Sequence, residues 1–131
     1  MTSAQNVIID SVNASPDAAT VLTKAFVRTA ERLGLTHAEA ARVIGLSRPS
    51  LSRMGAGGYV LAADRGKEWE LAGLMVRLYR SLIAIVGSDE RAQIWLRGEN
   101  TELNARPLDL IVSAQGLVLV VQYLDAYRGR V

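Results

Sequence analysis

The side chains best suited to chemistry are concentrated in one short stretch of this 131-residue chain, between Arg42 and Arg53. The stretch contains three arginines, three serines and no acidic residue. Arginine can form two-pronged hydrogen bonds with guanine edges in the DNA major groove, and serine hydroxyls suit phosphate oxygens. These residue types favour contact with nucleic acid over covalent catalysis. The net charge is only +2, so the placement of the charges carries more information than their sum.

An active site is not expected in this chain. His37 is its only histidine, and no partner for a general base or a metal ligand accompanies it. The carboxylates fall mainly at predicted helix starts, where they stabilise the helix dipole. The absence of cysteine excludes disulfides, thiolate zinc sites and a cysteine nucleophile. We therefore predict no catalytic residue, no metal site and no cofactor.

Two short predicted helices position the arginines. Thr36 is a suitable N-cap for the first, and Glu39 completes a capping box three residues later. Gly45 suits a tight left-handed turn, and Ser47 can cap a second helix that begins at Arg48. Two short helices joined by a turn with glycine are typical of a helix-turn-helix.

In a helix-turn-helix the first turn of the second helix faces the major groove. The predicted DNA-binding residues are therefore Thr36, Ser47, Arg48, Pro49, Ser50, Ser52 and Arg53. The alternative is a helical hairpin that serves only as a packing unit, because short capped helices separated by glycine are common in helical bundles.

The rest of the chain predicts an all-α protein in which the helix-turn-helix packs against a C-terminal helical domain. Apolar residues recur at helical spacing over about 15–33, 66–86, 88–97, 107–112 and 113–127, with residues 55–65 as a linker. Ser88 and Ser113 are the predicted N-caps of the helices that begin at these residues. The predicted divisions are a flexible arm, a helix-turn-helix domain and a C-terminal partner-binding and oligomerisation domain, at residues 1–14, 15–62 and 63–131. No secretion signal or membrane-spanning stretch is recognisable, so we expect a cytoplasmic protein without membrane contact.

Tyrosine and arginine are concentrated near the end of the chain, at Tyr123, Tyr127, Arg128 and Arg130. These residue types are frequent anchors of protein interfaces. The alternative is a frayed basic tail whose arginines complement the dipole of the last helix. Trp95 lies on an amphipathic helix, where tryptophan usually belongs to the core, and we expect it to shape the domain.

The second half also carries a distinctive set of residues: Trp95 and Leu96, Asn100, the run from Pro107 to Leu110, and Gly116. Together with the helix-turn-helix, this pattern resembles the Xre/MbcA/ParS antitoxins, which join an Xre-like helix-turn-helix to a C-terminal toxin-binding domain. The resemblance extends over about residues 20–127. The chain differs from the family at Glu99, where a proline is usual, and at residues 104–106, where glycines are frequent.

The resemblance implies a partner toxin with a RES domain, a family whose members consume NAD or modify proteins with ADP-ribose. It implies that the C-terminal segment lies at or near the entrance of the toxin's active site. It also implies repression of the antitoxin's own operon through operator DNA, and assembly as a homodimer or a higher toxin–antitoxin complex. The residues expected to contact the toxin are Asn100, Tyr123, Tyr127, Arg128 and Arg130.

Two alternatives remain open at the level of sequence. The chain can be a stand-alone transcriptional regulator whose C-terminal half only dimerises or senses a ligand. It can also be an interaction module in which the helix-turn-helix has lost its affinity for DNA. An enzyme is the least supported alternative, because no set of residues forms an active site.

Overall fold

The structure is a computed structural model that describes residues 16–129. This part of the chain contains seven helices and no strand, which confirms the predicted all-α class. The predicted arm at residues 1–14 and the predicted site residue Arg130 lie outside the described residues. The helices are α1 (Pro16–Arg32), α2 (His37–Ile44), α3 (Arg48–Gly55), α4 (Gly66–Val86), α5 (Asp89–Arg97), α6 (Pro107–Leu110) and α7 (Ala114–Gly129).

The predicted caps are present at the starts of these helices. The Thr36 hydroxyl accepts a hydrogen bond from the Glu39 backbone N–H at 3.1 Å, and the Glu39 carboxylate accepts one from the Thr36 N–H at 2.9 Å. Ser88 caps α5 by accepting from the Arg91 N–H at 3.2 Å. Gly45 ends α2 with a φ of 72°, a left-handed conformation that side chains disfavour. Local chemistry therefore determines where these helices begin and end.

One apolar core runs through the whole described structure. The long helix α4 packs against α1 as well as against α7. Phe26 of α1, Leu78 and Leu82 of α4, and Leu124 of α7 are all almost completely buried in one continuous cluster. Helix α4 belongs to the predicted C-terminal domain but contributes to both sides of this core. The predicted domain boundary between residues 62 and 63 therefore stays a prediction.

Two segments differ from the expected pattern of burial. Val21 lies within the apolar repeat of residues 15–33, but it is 67% exposed, because the buried stripe follows Phe26, Thr29 and Leu33. The predicted linker contains Leu61, which is fully buried and whose backbone N–H donates to the Thr23 hydroxyl at 2.9 Å. The linker is therefore anchored to α1 rather than merely joining the two halves.

A tight corner joins α6 to α7 near the end of the chain. A side chain at Gly116 would place its Cβ 2.7 Å from the Leu110 carbonyl carbon and 2.9 Å from the Ser113 hydroxyl oxygen. Both distances are too short for real contacts, so only glycine fits where α7 passes the end of α6. The Ser113 hydroxyl also accepts a hydrogen bond from the Gly116 N–H at 3.0 Å, which starts α7 as predicted.

Within residues 16–129, no single helix combines the length and the apolar character needed to cross a bilayer. The consecutive helices α4 and α5 meet these two criteria only as a pair, and they are bent by 107° relative to each other.

Candidate functional site

The second helix of the helix-turn-helix, α3, has one buried and one exposed side. Leu51 and Met54 are buried against the core with 4% and 3% of their surface exposed. The opposite side, which we call the recognition face, consists of Ser47, Arg48, Pro49, Ser52 and Arg53, all of them exposed. The predicted DNA-contacting residues of α3 therefore lie together on one accessible surface, and only Ser50 is half-buried.

Hydrogen bonds at the start of α3 and within it give these residues different roles. The Ser47 hydroxyl accepts from the Ser50 backbone N–H at 3.2 Å and donates to the Ser50 hydroxyl at 2.9 Å. The Arg53 guanidinium donates to the same Ser50 hydroxyl oxygen at 3.1 Å. Ser47 and Ser50 thus cap the helix and orient Arg53. In the described part of the chain, Arg48 has no hydrogen-bond or ion-pair partner and remains available to a ligand.

The start of α2 is held by the other half of the molecule. The Arg97 guanidinium, on α5, makes two hydrogen bonds to the Glu39 carboxylate at 2.9 and 3.2 Å and one to the Gly34 carbonyl at 3.0 Å. The hydrogen bond from Arg97 is the main cause that lowers the pKa of Glu39, with a smaller contribution from the Thr36 N–H and with partial burial acting in the opposite direction. Thr36 is exposed beside this ion pair.

A second set of contacts joins α5 to the end of α1. The Gln93 side-chain amide donates to the Arg32 carbonyl at 2.9 Å, and the Arg32 guanidinium lies 3.5 Å from the Asp89 carboxylate. The Tyr79 hydroxyl donates to the same carboxylate at 2.5 Å. Because the two contacts with Arg32 span dozens of residues in sequence, no periodic pattern signals them.

Three aromatic side chains form a half-buried surface at the junction of α5 and α7. The ring centroids of Trp95 and Tyr123 are 6.3 Å apart in a stacked arrangement, and those of Tyr123 and Tyr127 are 5.2 Å apart with tilted planes. Trp95, Tyr123 and Tyr127, here called the aromatic cluster, line one side of a shallow cavity of about 150 Å³. Trp95 contributes to this accessible surface as well as to the packing of the domain.

A carboxylate that sequence reasoning missed joins the two tyrosines. The hydroxyls of Tyr123 and Tyr127 both donate to the same Glu102 oxygen, at 2.9 and 3.1 Å. Partial burial is the main cause that raises the pKa of Tyr123, and the hydrogen bond to Glu102 acts in the same direction. Glu102 lies in a polar loop 21 residues before Tyr123, so nothing local in the sequence indicated its role.

Asn100 shapes the loop that carries Glu102. Its backbone forms an isolated antiparallel bridge with Ala105, and its side-chain oxygen accepts from the Leu103 N–H at 3.0 Å. Asn100 also lies close enough to Tyr123 to act on the pKa of its hydroxyl, which it lowers. The structure thus brings Asn100, Tyr123 and Tyr127 together, whereas Arg128 lies exposed near the end of α7.

The described residues offer no arrangement typical of a metal site. No group of three or more His, Asp or Glu side chains between residues 16 and 129 is placed to hold a metal ion. His37 is exposed at the start of α2. The predicted site residues that the structure describes lie mainly on two accessible surfaces, the recognition face and the aromatic cluster.

Two family models match the chain, and the residues matched by each include one of these surfaces. The antitoxin Xre-like helix-turn-helix domain matches residues 13–77, which include the recognition face. The antitoxin Xre/MbcA/ParS C-terminal toxin-binding domain matches residues 81–130, which include the aromatic cluster and Glu102. No individual curated protein matches the chain. Because the two models together cover most of the sequence, the chain belongs to the Xre/MbcA/ParS antitoxins, with a DNA-binding helix-turn-helix domain followed by a toxin-binding domain.

Proposed function

We propose that this antitoxin neutralises a RES-domain toxin and represses its own operon by binding operator DNA. The proposal rests on one observation: each matched domain presents one accessible surface outside the fully buried core. The recognition face suits a DNA groove, and the aromatic cluster suits a protein. On this basis the chain acts by binding alone and needs no cofactor.

Operator recognition is assigned to Arg48, Ser52 and Arg53, with Pro49 at the start of α3 beside them. Thr36, Ser47 and Ser50 are assigned to the adjacent phosphates, because their hydroxyls lie at the starts of α2 and α3. Phosphate contacts fix the position of a protein on the duplex and do not read its base sequence. A good bidentate contact between arginine and guanine contributes about 1–3 kcal/mol of discrimination. The exposed guanidinium of Arg48 is the best candidate for such a contact.

Single Arg48→Ala and Arg53→Ala variants test this assignment. Each is expected to weaken binding to a duplex from upstream of its own gene by roughly tenfold or more, since about 1.4 kcal/mol corresponds to a factor of ten. Arg91→Ala, which removes an exposed arginine from α5, is the matched control and should leave the affinity unchanged. Fluorescence anisotropy at two salt concentrations measures the effect. Unchanged affinity in both variants would show that the recognition face is wrongly placed.

Toxin binding is assigned to Tyr123, Tyr127, Arg128 and Asn100, with Arg130 included on the basis of the sequence alone. Interfaces obtain most of their binding free energy from a few aromatic and arginine anchors, and this set provides both types. The two tyrosine hydroxyls are already oriented by Glu102, so little conformational entropy is lost when a partner contacts them.

Co-expression with the product of the adjacent reading frame tests the choice of partner. A RES-domain toxin should arrest growth and deplete cellular NAD or modify proteins with ADP-ribose, and the antitoxin should restore growth and co-purify with it. A complex with a toxin of another class would refute the RES assignment. DNA binding without any toxin partner would favour a stand-alone regulator instead.

A homodimer is proposed because one small helix-turn-helix contacts only one half-site, and paired half-sites about 34 Å apart call for a two-fold protein. Among the exposed large apolar side chains of the described residues, Val118 and Leu119 on α7 are the only two adjacent in sequence. Leu119→Lys should therefore yield a monomer by light scattering, whereas Val21→Lys on α1 should not. A wild-type protein that is monomeric at high concentration would contradict the dimer.

A further inference from the structure

The positive charge of the molecule is concentrated in its first half. Residues 1–62 contain six Lys and Arg against four Asp and Glu, and only two of these acids lie after residue 17, whereas residues 63–131 contain nine of each. The second half uses much of its charge internally, in ion pairs such as Arg77 with Asp125 and Arg106 with Asp109. The cations of residues 18–62 that form no ion pair within the described structure are Lys24, Arg28, Arg42, Arg48 and Arg53.

Three of these unpaired cations lie outside the recognition face, and two of the three, Lys24 and Arg28, share one surface. Lys24 and Arg28 are exposed one turn apart on α1, and both line an open groove of about 470 Å³ between α1 and the segment that follows α3. Val27 and Val60 contribute apolar surface to the same groove. We call it the basic groove. Its lining contains one acid, Glu31, which is the last lining residue along α1.

The basic groove is continuous with the recognition face. The Gly58 N–H donates to the Arg53 carbonyl at 2.7 Å, so the segment after α3 folds back directly against this arginine. Gly57 and Tyr59, on either side of Gly58, line the groove. Burial is the main cause that raises the pKa of Tyr59. The positive charges of Arg65 and Arg53 act in the opposite direction, so Arg53 lies close to this tyrosine. The groove therefore begins beside Arg53, at one end of the recognition face.

We propose that the basic groove binds the DNA backbone that flanks the operator half-site, with Lys24 and Arg28 neutralising phosphates. A phosphodiester backbone alternates anionic phosphates with apolar deoxyribose, which matches a groove that has exposed cations and an apolar lining. Such contacts are independent of base sequence and add affinity that depends strongly on salt. The inference rests on the proposed DNA binding and extends it from α3 to α1.

A double variant, Lys24→Gln with Arg28→Gln, tests the proposal. Glutamine preserves helix propensity, and both positions are exposed, so the fold should be retained. Binding to the duplex from upstream of the gene and to a duplex of unrelated sequence is measured by anisotropy between about 50 and 200 mM NaCl. The variant should lose affinity for both duplexes by a similar factor, and its salt slope should become shallower by about 1.8, at roughly 0.9 per lost phosphate contact.

A charge-matched control separates local contact from net charge. Arg80→Gln with Arg91→Gln also removes two exposed arginines, from α4 and α5, and should leave the slope unchanged. Glu31→Gln should tighten binding to both duplexes, because it removes the acid from the groove. Urea unfolding of each variant confirms that the fold is intact.

The results distinguish this proposal from the function on which it rests. If the wild type binds DNA but the Lys24 and Arg28 variant has the same affinity and slope, the groove proposal is overturned and operator binding stands. It is also overturned if the control variant changes the slope equally, or if the groove variant loses only its affinity for the toxin. Absence of salt-dependent DNA binding by the wild type would overturn both proposals.

Discussion

The recognition face and the aromatic cluster are built in different ways. In α3, Ser47, Ser50 and Arg53 are joined by hydrogen bonds between residues three apart. The aromatic cluster depends on Glu102, which reaches Tyr123 and Tyr127 across 21 and 25 residues. The first surface requires one short helix to be capped, whereas the second requires α5, α7 and the intervening loop to be folded together.

Because of this difference, we expect the two surfaces to respond differently to substitutions. Helix capping is local, so α3 keeps its internal geometry as long as the core holds Leu51 and Met54. The aromatic cluster has no such independence, because its carboxylate and its tyrosines come from separate elements. Disturbing the corner between α6 and α7 should therefore affect the toxin-binding surface more than the DNA-binding surface.

The largest effect is expected from Gly116→Ala, which disrupts the corner between α6 and α7 beside the second surface. The added Cβ would overlap the Leu110 carbonyl, and backbone atoms cannot move aside cheaply. We expect a loss of about 3 kcal/mol or more in the free energy of unfolding, at the upper end for overpacking. Urea denaturation measures it. Gly73→Ala, whose Cβ would meet nothing within 4 Å, is the matched control and should be neutral or stabilising. Equal stability of the two variants would contradict the tight corner.

An intermediate effect is expected from Glu102→Ala, which leaves the fold intact but releases both tyrosine hydroxyls. Each hydrogen bond contributes about 0.5–1.5 kcal/mol, so toxin affinity should fall roughly tenfold while DNA affinity stays constant. Calorimetric titration of the co-expressed toxin measures the change. Glu99→Ala removes the same charge three residues earlier, in the same loop, and should have a much smaller effect. If both variants bind the toxin like the wild type, Glu102 does not orient the binding surface.

The smallest effect is expected where the two halves meet, at the ion pair between Glu39 and Arg97. The pKa of Glu39 is lowered in the folded state, so its carboxylate stabilises the fold above the ordinary value of 4.5 and loses this contribution as the pH falls through the folded value. Glutamine can still complete the capping box, so Glu39→Gln isolates the charge. The variant should be about 0.5–1 kcal/mol less stable near pH 7.

Urea denaturation between pH 7 and pH 3 provides the test of this ion pair. The difference between wild type and Glu39→Gln should shrink as the pH falls, because protonation removes the charge from the wild type as well. A difference that stays constant over this range would show that the charge of Glu39 does not stabilise the fold.

Individual residues show how far sequence reasoning reached. Thr36, Glu39, Gly45 and Ser47 signal the helix-turn-helix because caps and left-handed turns depend on residues within four positions of one another. The helical period also assigned α7 correctly despite its β-branched residues, since Val120 and Val121 are buried together with Leu124. Glu102 was missed because a polar loop residue carries no local sign of the side chains that it will contact.

The all-α class, the ends of most helices and the exposed residues of α3 could be predicted from the sequence, because they follow from short-range hydrogen bonding and apolar periodicity. Three other features are visible only in the folded chain: Glu102 joins two tyrosines, Arg97 holds the start of α2, and Lys24 and Arg28 line a groove beside α3. Such contacts depend on how whole helices are placed relative to one another. That placement is a property of the shared core, to which residues distant in sequence contribute together.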